Sequence, residues 1–543
     1  MKKPINKLWL VGIGLILFIG TLGFRSDLME ISKQLEIFTN LFKELHMNYV
    51  DPTDPSELMD AAIEGLLSDL DPYTHYWKED DVENNIITST GTYTGIGATV
   101  DFLEDRIVIV EVYKDYPADL AGLRAGDEIM AIGGTLLREY DQHPGDLLSG
   151  APKSTVELSY MRQGKRLQTT LIRSAVEVKA VPFSTMINKD IGYIILSYFN
   201  RQSTEEIIDA LNELKQQGAR SIILDLRNNP GGLLSEAINV SNIFLPEGEL
   251  VVSTKSAIKK YNQSYYTTQR PVDTEIPLVV LINERSASAS EIVAGALQDL
   301  DRAVIVGARS FGKGLVQRPR DLSHGRQLKV TISRYYTPSG RGIHSANPED
   351  EAWNDSINPA DNETFTTRNG RKIQDVGGIK PDIEAGSSTL GDITRTLLYH
   401  NYIFDYATRY YYTHELYNLE DFSFTQEDFE DFKYFLEQEE FDYQSATSQQ
   451  LNEVMYAAQQ EGFQQVVDPV IEGLLLKIDS AKTSKLEEHK SEIIGLLSDE
   501  IIKRYFYREG LYKYHLDKDP EMYKAVEILE DSSELAHLLG VQE

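Results

Sequence analysis

The sequence predicts a multidomain α+β chain. An α/β layer forms its main core, a β-rich domain is inserted ahead of that layer, and helices lie at both ends. Three observations predict this. Between about residues 176 and 386, apolar strand candidates alternate with helical stretches, the mark of βαβ units. From about Gly91 to Ala175 the texture is short runs of branched residues separated by glycine turns. On either side, apolar residues recur at helical spacing. With 543 residues the chain has room for several domains at ~100–200 residues each. The boundaries read as 1–25, 26–85, 86–175, 176–386 and 387–543.

Leu8–Phe24 (LWLVGIGLILFIGTLGF) carries no charge and follows Lys2, Lys3 and Lys7. Its 17 residues stand at the lower edge for a spanning helix. No small-x-small cleavage site follows, so the segment reads as an uncleaved membrane anchor, with a cleaved signal peptide as the alternative. Three lysines before it and Arg25 after it place the amino terminus in the cytoplasm and the rest of the chain outside that membrane. Next, LMEISKQLEIFTNLFKELHMNYV and ELMDAAIEGLLSDL read as helices, broken at Asp51-Pro52 and Asp71-Pro72. They read as packing or dimerisation surface.

IVIVEV, EIMAI, TVELSYM and LQTTLI are the strand candidates of the β-rich region, with PADLAGL a short helix among them. The α/β region runs GYIILSYF, TEEIIDALNELKQQ, SIILDL, SEAINVSNIF, LVVLIN, SEIVAGALQDL and AVIVG. The polar segment from His344 to Arg371 reads as an insertion or long loop. Beyond Ser387 the chain is acidic, tyrosine-rich and helical, without a catalytic signature.

There are no cysteines, which excludes disulfides, thiolate catalysis and Cys-ligated zinc. The net charge of −32 offers no basic surface for phosphates, so nucleic acid is not an expected partner.

The chemistry concentrates in NERSASASEIVAGALQD, Asn283 to Asp299, where an apolar strand runs through a small-residue turn into a helix. A serine there sits under the unsatisfied N–H groups of the first helical turn, which can stabilise an oxyanion. Ser288 and Glu291 also fit a plain S-x-x-E capping box, and Ser286, Ser288 and Ser290 all compete as nucleophile. The ten histidines form no Ser/His/Asp pattern. Lys313, in ARSFGKGLVQ, is the candidate base, flanked by Gly312 and Gly314. A lysine serves as base only if burial lowers its pKa, and Phe311, Leu315 and Val316 are apolar neighbours. Gln317 is placed to hold the amine. In LDLRNNPGGLL, Pro230-Gly231-Gly232 can present backbone N–H groups to a ligand.

SASASEIVAGALQD and GARSFGKGLVQ resemble the active-site motifs of the carboxy-terminal processing (tail-specific) proteases, peptidase family S41. LDLRNNPGGLL, YYTPSGRGIH and GGIKPDIEA resemble further segments of that family. GTYTGIGATVD, DYPADLAGLRAGDEIMAIGG and STVELSYMRQGKRL resemble a PDZ domain. The resemblance covers about Asp27 to Ala385. It implies a serine protease core of the ClpP/crotonase kind, with Ser288 as nucleophile and Lys313, 25 residues later, as general base. It also implies that Gln317 orients the lysine and that Gly231, Gly232 and Ala289 form the oxyanion hole. The PDZ loop Gly95, Ile96 and Gly97 would bind the terminal carboxylate of a peptide added as a strand. Arg124 and Arg162 are candidates for carboxylate contacts or solvated surface.

The expected function is a serine endopeptidase that processes or degrades proteins from or near their C-termini. No metal or other cofactor is expected, and the partners are proteins or peptides with free C-termini. A homodimer through the amino-terminal helices and a periplasmic or extracytoplasmic location complete the expectation. The alternatives are a PDZ scaffold or folding factor in which proteolysis is dispensable, and an esterase using the same Ser/Lys pair.

Overall fold

The computed structural model describes residues 29–78, 90–103, 105–140, 144–344, 364–375, 377–386, 390–441, 443 and 445–541. The anchor candidate Leu8–Phe24 lies outside them, as does 345–363 of the expected insertion. No described helix is long and apolar enough to cross a membrane. The chain divides into two compact units, residues 1–82 with 317–331, and residues 83–316 with 332–543.

In the smaller unit, residues 29–48 form a helix that leaves Met29, Ile31, Leu35 and Leu41 exposed. A second helix, Pro55–Leu67, starts where the sequence provides a cap. Asp54 Oδ1 accepts from Ser56 N–H at 2.6 Å and Glu57 N–H at 3.1 Å, and Pro55 occupies the first turn, where a missing N–H costs nothing. His75–Trp77 pairs antiparallel with Gln327–Lys329.

The larger unit is built on a six-stranded sheet. Its order is Phe183–Met186, Ile191–Ile195, Ser221–Asp225, Leu278–Ile282, Val304–Gly307, Ile383–Glu384. All neighbours are parallel except the first pair. Strands buried along their whole length, such as SIILD and LVVLI, require cover on both faces. One face packs against Ser203–Gln217, Leu234–Phe244 and Ala289–Asp299 through Ile207, Leu211, Val240, Phe244 and Val293. The other is covered by the last two helices, Pro520–Glu530 and Ser532–Leu538, through Met522, Ala525, Ile528 and Leu535.

Ahead of this core lies an antiparallel sheet, ordered Ala98–Phe102, Ile107–Val112, Glu128–Ile132, Thr155–Arg162, Lys165–Ile172. Ile107, Ile109, Ile129, Leu158 and Leu171 form its own core, and Ala98–Phe102 is an edge strand. Within the segment expected to be an insertion or long loop, Thr364–Thr366 is a strand that pairs antiparallel with Lys372–Gln374.

Between Asp392 and Leu516 the chain is helical, with an aromatic core that includes Tyr406, Phe429, Phe432 and Phe435. Its last helix, Lys490–Leu516, breaks at Tyr507 (φ 57°, ψ −168°). At that break Tyr507 Oη donates to Asp119 Oδ1 at 2.7 Å. Arg508 makes a two-armed ion pair with Glu111 at 2.7 and 2.8 Å. Both partners belong to the β-rich domain.

Candidate active site

Strand Leu278–Ile282 feeds the turn Asn283–Ser288, and helix Ala289–Asp299 follows. Of the three candidate serines, two have structural partners. Ser286 and Ser290 are fully buried, and their hydroxyls donate to Leu226 O at 2.8 Å and Asn229 O at 2.9 Å. Ser288 is partly exposed and stands at the head of the helix with φ 54° and ψ −109°. A non-glycine residue in such a conformation costs on the order of 1–3 kcal/mol and persists only where its surroundings impose it.

What imposes it is Glu291. Its carboxylate is fully buried one turn into the helix and accepts four hydrogen bonds. Oε2 takes the Ser288 N–H at 2.7 Å and the Lys313 N–H at 2.9 Å, and Oε1 takes Ser310 Oγ–H and Gly312 N–H, each at 2.6 Å. The backbones of Ser288 and Lys313 are therefore bound to one oxygen atom. Burial raises the Glu291 carboxyl from its ordinary 4.5 to about 7, with the four donors pulling the other way. The S-x-x-E pattern pointed only to a cap, and the half of it that runs from the Ser288 N–H to Glu291 is formed. The further reach of Glu291 to the lysine loop was not legible, because Ser310 and Gly312 meet it only through the fold. The one local signal was a carboxylate in an otherwise apolar helix, SEIVAGAL.

Lys313 is half-buried, between Gly312 and Gly314. The backbone approach at Gly314 is close: a Cβ there would fall 2.2 Å from His344 N. Leu315 is buried, and Phe311 is 51% exposed. Gln317 lies on strand Leu315–Asp321 in the smaller unit, where its Nε2 donates to Thr331 Oγ1 at 3.2 Å. Thr331 Oγ1 in turn donates to Asp71 Oδ1 at 2.9 Å.

The glycine loop comes to the same place. Gly231 (φ 99°) touches the serine turn so closely that a Cβ would fall 2.7 Å from Ala287 O and 2.9 Å from Ala289 N, which is why only glycine fits. Asn229 joins the two loops. Its carbonyl accepts from Ala287 N–H at 3.0 Å and from Ser290, and its Nδ2 donates to Leu196 O at 2.7 Å. Asn229 Oδ1 also accepts the Gly231 N–H at 2.8 Å, so that expected oxyanion donor is engaged within its own loop. The N–H groups of Gly232 and Ala289 have no hydrogen-bond partner among the described residues.

In the β-rich domain, Ile96 O accepts the Ala118 N–H at 2.7 Å and Gly97 O the Tyr113 N–H at 2.9 Å, which fixes the Gly95–Gly97 loop beside the edge strand. Arg162 is held by Asp127 at 2.7 and 2.6 Å, and Arg124 stacks over Tyr411, 5.3 Å from its centroid. Both arginines therefore have partners within the chain.

Residues 190–351 match the model of peptidase family S41, residues 94–172 match the PDZ domain, and residues 393–529 match the C-terminal helical domain of probable PDZ-proteases. The chain is 36% identical over 321 residues to the carboxy-terminal-processing protease of Bartonella bacilliformis, covering 57% of this chain and 73% of that protein. It is 36% identical over 293 residues to the carboxyl-terminal-processing protease of Synechocystis sp., covering 52% and 68%. Among solved structures, a photosystem II D1 C-terminal processing protease is 27% identical with a TM-score of 0.36, covering 65% of this chain and 93% of that one. The chain is thus a serine-type peptidase with a PDZ domain and a C-terminal helical domain, and it belongs to peptidase family S41, the carboxy-terminal-processing proteases.

Proposed function

We propose that this peptidase cleaves protein substrates at or near their C-termini with Ser288 as nucleophile and Lys313 as general base. The observation that carries the reading is the shared Glu291 carboxylate, which ties the strained, accessible Ser288 to the lysine loop while the hydroxyls of Ser286 and Ser290 are occupied. The neutral amine of Lys313 takes the Ser288 proton as Oγ attacks the peptide carbonyl. The N–H groups of Gly232 and Ala289 hold the oxyanion. Gly231 joins them if its bond to Asn229 opens. The lysine ammonium then protonates the leaving amine, and water, attacking the ester, frees the serine.

The PDZ domain recruits the substrate. Its edge strand Ala98–Phe102 accepts a peptide as an added strand, and the Ile96–Gly97 loop receives the terminal carboxylate. Amidating the peptide removes that charge and puts an NH2 donor where the loop amides need an acceptor. The loss is roughly 1.5–3 kcal/mol, so the free acid binds Ser288→Ala protein about tenfold or more tightly than the amide. Equal affinities would refute carboxylate recognition. The active enzyme, given the same pair, yields mass-mapped products from the acid in preference to the amide.

Leu8–Phe24 tethers the enzyme to a membrane, with the catalytic part on the extracytoplasmic side. Deleting residues through Phe24 releases active protein from the membrane fraction. A mature amino terminus near Arg25 would overturn the tether.

A further inference from the structure

We propose that Asp519 and Glu521, in the C-terminal helical segment, are positioning residues for peptide hydrolysis. By gripping Arg227 they set the loop that brings Gly231 and Gly232 to Ser288. The proposal rests on the reading of Ser288 given above.

Arg227 stands two residues past strand Ser221–Asp225 and four before Gly231. Its guanidinium is largely buried and surrounded by three carboxylates. Asp225, on its own strand, accepts from Nε at 3.0 Å and from Nη2 at 2.6 Å. Nη1 points away from the strand and donates to Asp519 Oδ2 at 2.5 Å and to Glu521 Oε2. Asp519 divides its carboxylate between two tasks. Oδ1 caps helix Pro520–Glu530 by accepting from Glu521 N–H at 2.9 Å and Met522 N–H at 3.2 Å, which leaves Oδ2 for the arginine. The cap fixes where that oxygen sits, because the helix is itself packed on the sheet through Met522, Ala525 and Ile528.

From Arg227 the connection to the nucleophile is continuous. Asn228 (φ 58°) donates its N–H to Asn283 Oδ1 at 2.9 Å and accepts from Asn283 Nδ2 at 3.1 Å. Asn283 opens the serine turn, and its N–H donates to Ser286 Oγ at 2.9 Å. Asn229 joins the loops again at Ala287 and Ser290.

Packing alone does not fix this loop from below. A partly open pocket of about 300 Å³ borders it, with Arg227, Asn228, Asn283, Tyr512, His515 and Asp519 among its lining residues. Where side chains do not fill the space, a loop has room to shift; on this side Arg227 ties it to Asp519 and Glu521, while Phe199 holds Gly231 and Leu233 through backbone bonds. A shift of even 1 Å in groups that meet a transition state costs on the order of 100-fold in rate.

The test is the double variant Asp519→Asn, Glu521→Gln in the full chain. Asparagine keeps the helix cap, and glutamine keeps the side-chain length. Asp225 still neutralises Arg227, so no buried charge is left unpaired. The expected result with a peptide substrate is a fall in kcat on the order of 10- to 100-fold. KM and melting temperature stay near wild type, and a peptide aldehyde binds correspondingly less tightly. An unchanged kcat would show the loop independent of the clamp. A loss tracked by a lower melting temperature or shared by KM would make the clamp a structural support. Either result overturns the proposal. Ser288→Ala is measured alongside. If it is inactive while the double variant keeps wild-type kcat, only the clamp fails. If it retains activity, the nucleophile assignment and the clamp fall together.

Discussion

Ser288→Ala is expected to abolish peptide cleavage, a loss on the order of 10⁴-fold or more in kcat, because the proposed mechanism forms its acyl bond on Ser288. The three serines of the SASAS run give the experiment its controls. Ser286→Ala and Ser290→Ala each remove a buried hydroxyl that donates to a backbone carbonyl, Leu226 O or Asn229 O. Each carbonyl keeps a backbone donor, the Asn229 N–H on Leu226 O and the Ala287 N–H on Asn229 O, so losing the hydroxyl's bond costs about 0.5–1.5 kcal/mol of stability. Those variants should therefore melt earlier and still cleave. Unchanged proteolysis in Ser288→Ala would sink the assignment of the nucleophile, whereas a wild type without cleavage would point to a PDZ scaffold. Such a scaffold would keep its binding and show no cleavage to lose. Comparing a peptide with a simple ester of the same acyl group separates a peptidase from an esterase.

Lys313→Arg is expected to be inactive at every accessible pH. Arginine keeps its proton and cannot accept one from Ser288. The backbone N–H that Lys313 donates to Glu291 is the same in the variant, so the geometry of the serine turn is retained. Appreciable activity in this variant would refute the role of the amine. In the wild type, kcat/KM should rise with pH as the amine becomes neutral in the free enzyme. Glu291 acts in the same direction. Its carboxyl, raised to about 7, must be ionised to accept all four donors at once, so the lysine loop and the serine turn are best joined above that pH. Folding stability runs the opposite way for this group. A carboxyl raised from 4.5 to about 7 contributes stability that is present below pH 4.5 and lost as pH rises through 7. Activity should thus climb across a window in which this contribution to stability declines. Kinetics and melting curves on one set of buffers would show both slopes.

Much of the site was legible because it is written in contiguous segments. Ser288 to Glu291, Gly312 to Gly314 and Pro230 to Gly232 are each one turn, and their small residues announce close backbone approach. The α/β alternation was equally local, written in apolar runs such as SIILDL and LVVLIN and in the helical spacing of TEEIIDALNELKQQ, although strands Leu250–Lys255 and Gln263–Tyr266 between them were not read. The roles of Asn229, Ser310 and Arg227 were not legible, because each depends on partners distant in sequence. Arg227 and Asp519 are separated by 292 positions, and nothing in either segment names the other. Exposure is likewise set by the fold: Phe311, an apolar residue beside the lysine, is 51% exposed.

The sequence by itself determined the local parts: a serine at a helix start, a lysine between glycines, a glycine loop and a strand-rich domain. Local spacing suffices for these, since caps, turns and strands are set by neighbouring residues. Tertiary structure alone decided which of three serines is left accessible and that one buried carboxylate joins that serine to the lysine loop. It also decided that the final helices, whose acidic surface gave no such sign, cover the second face of the catalytic sheet. The physical reason is that burial and hydrogen-bond satisfaction belong to the whole fold. A hydroxyl, a carboxylate or an amphipathic helix acquires its role only when distant segments fill the space around it.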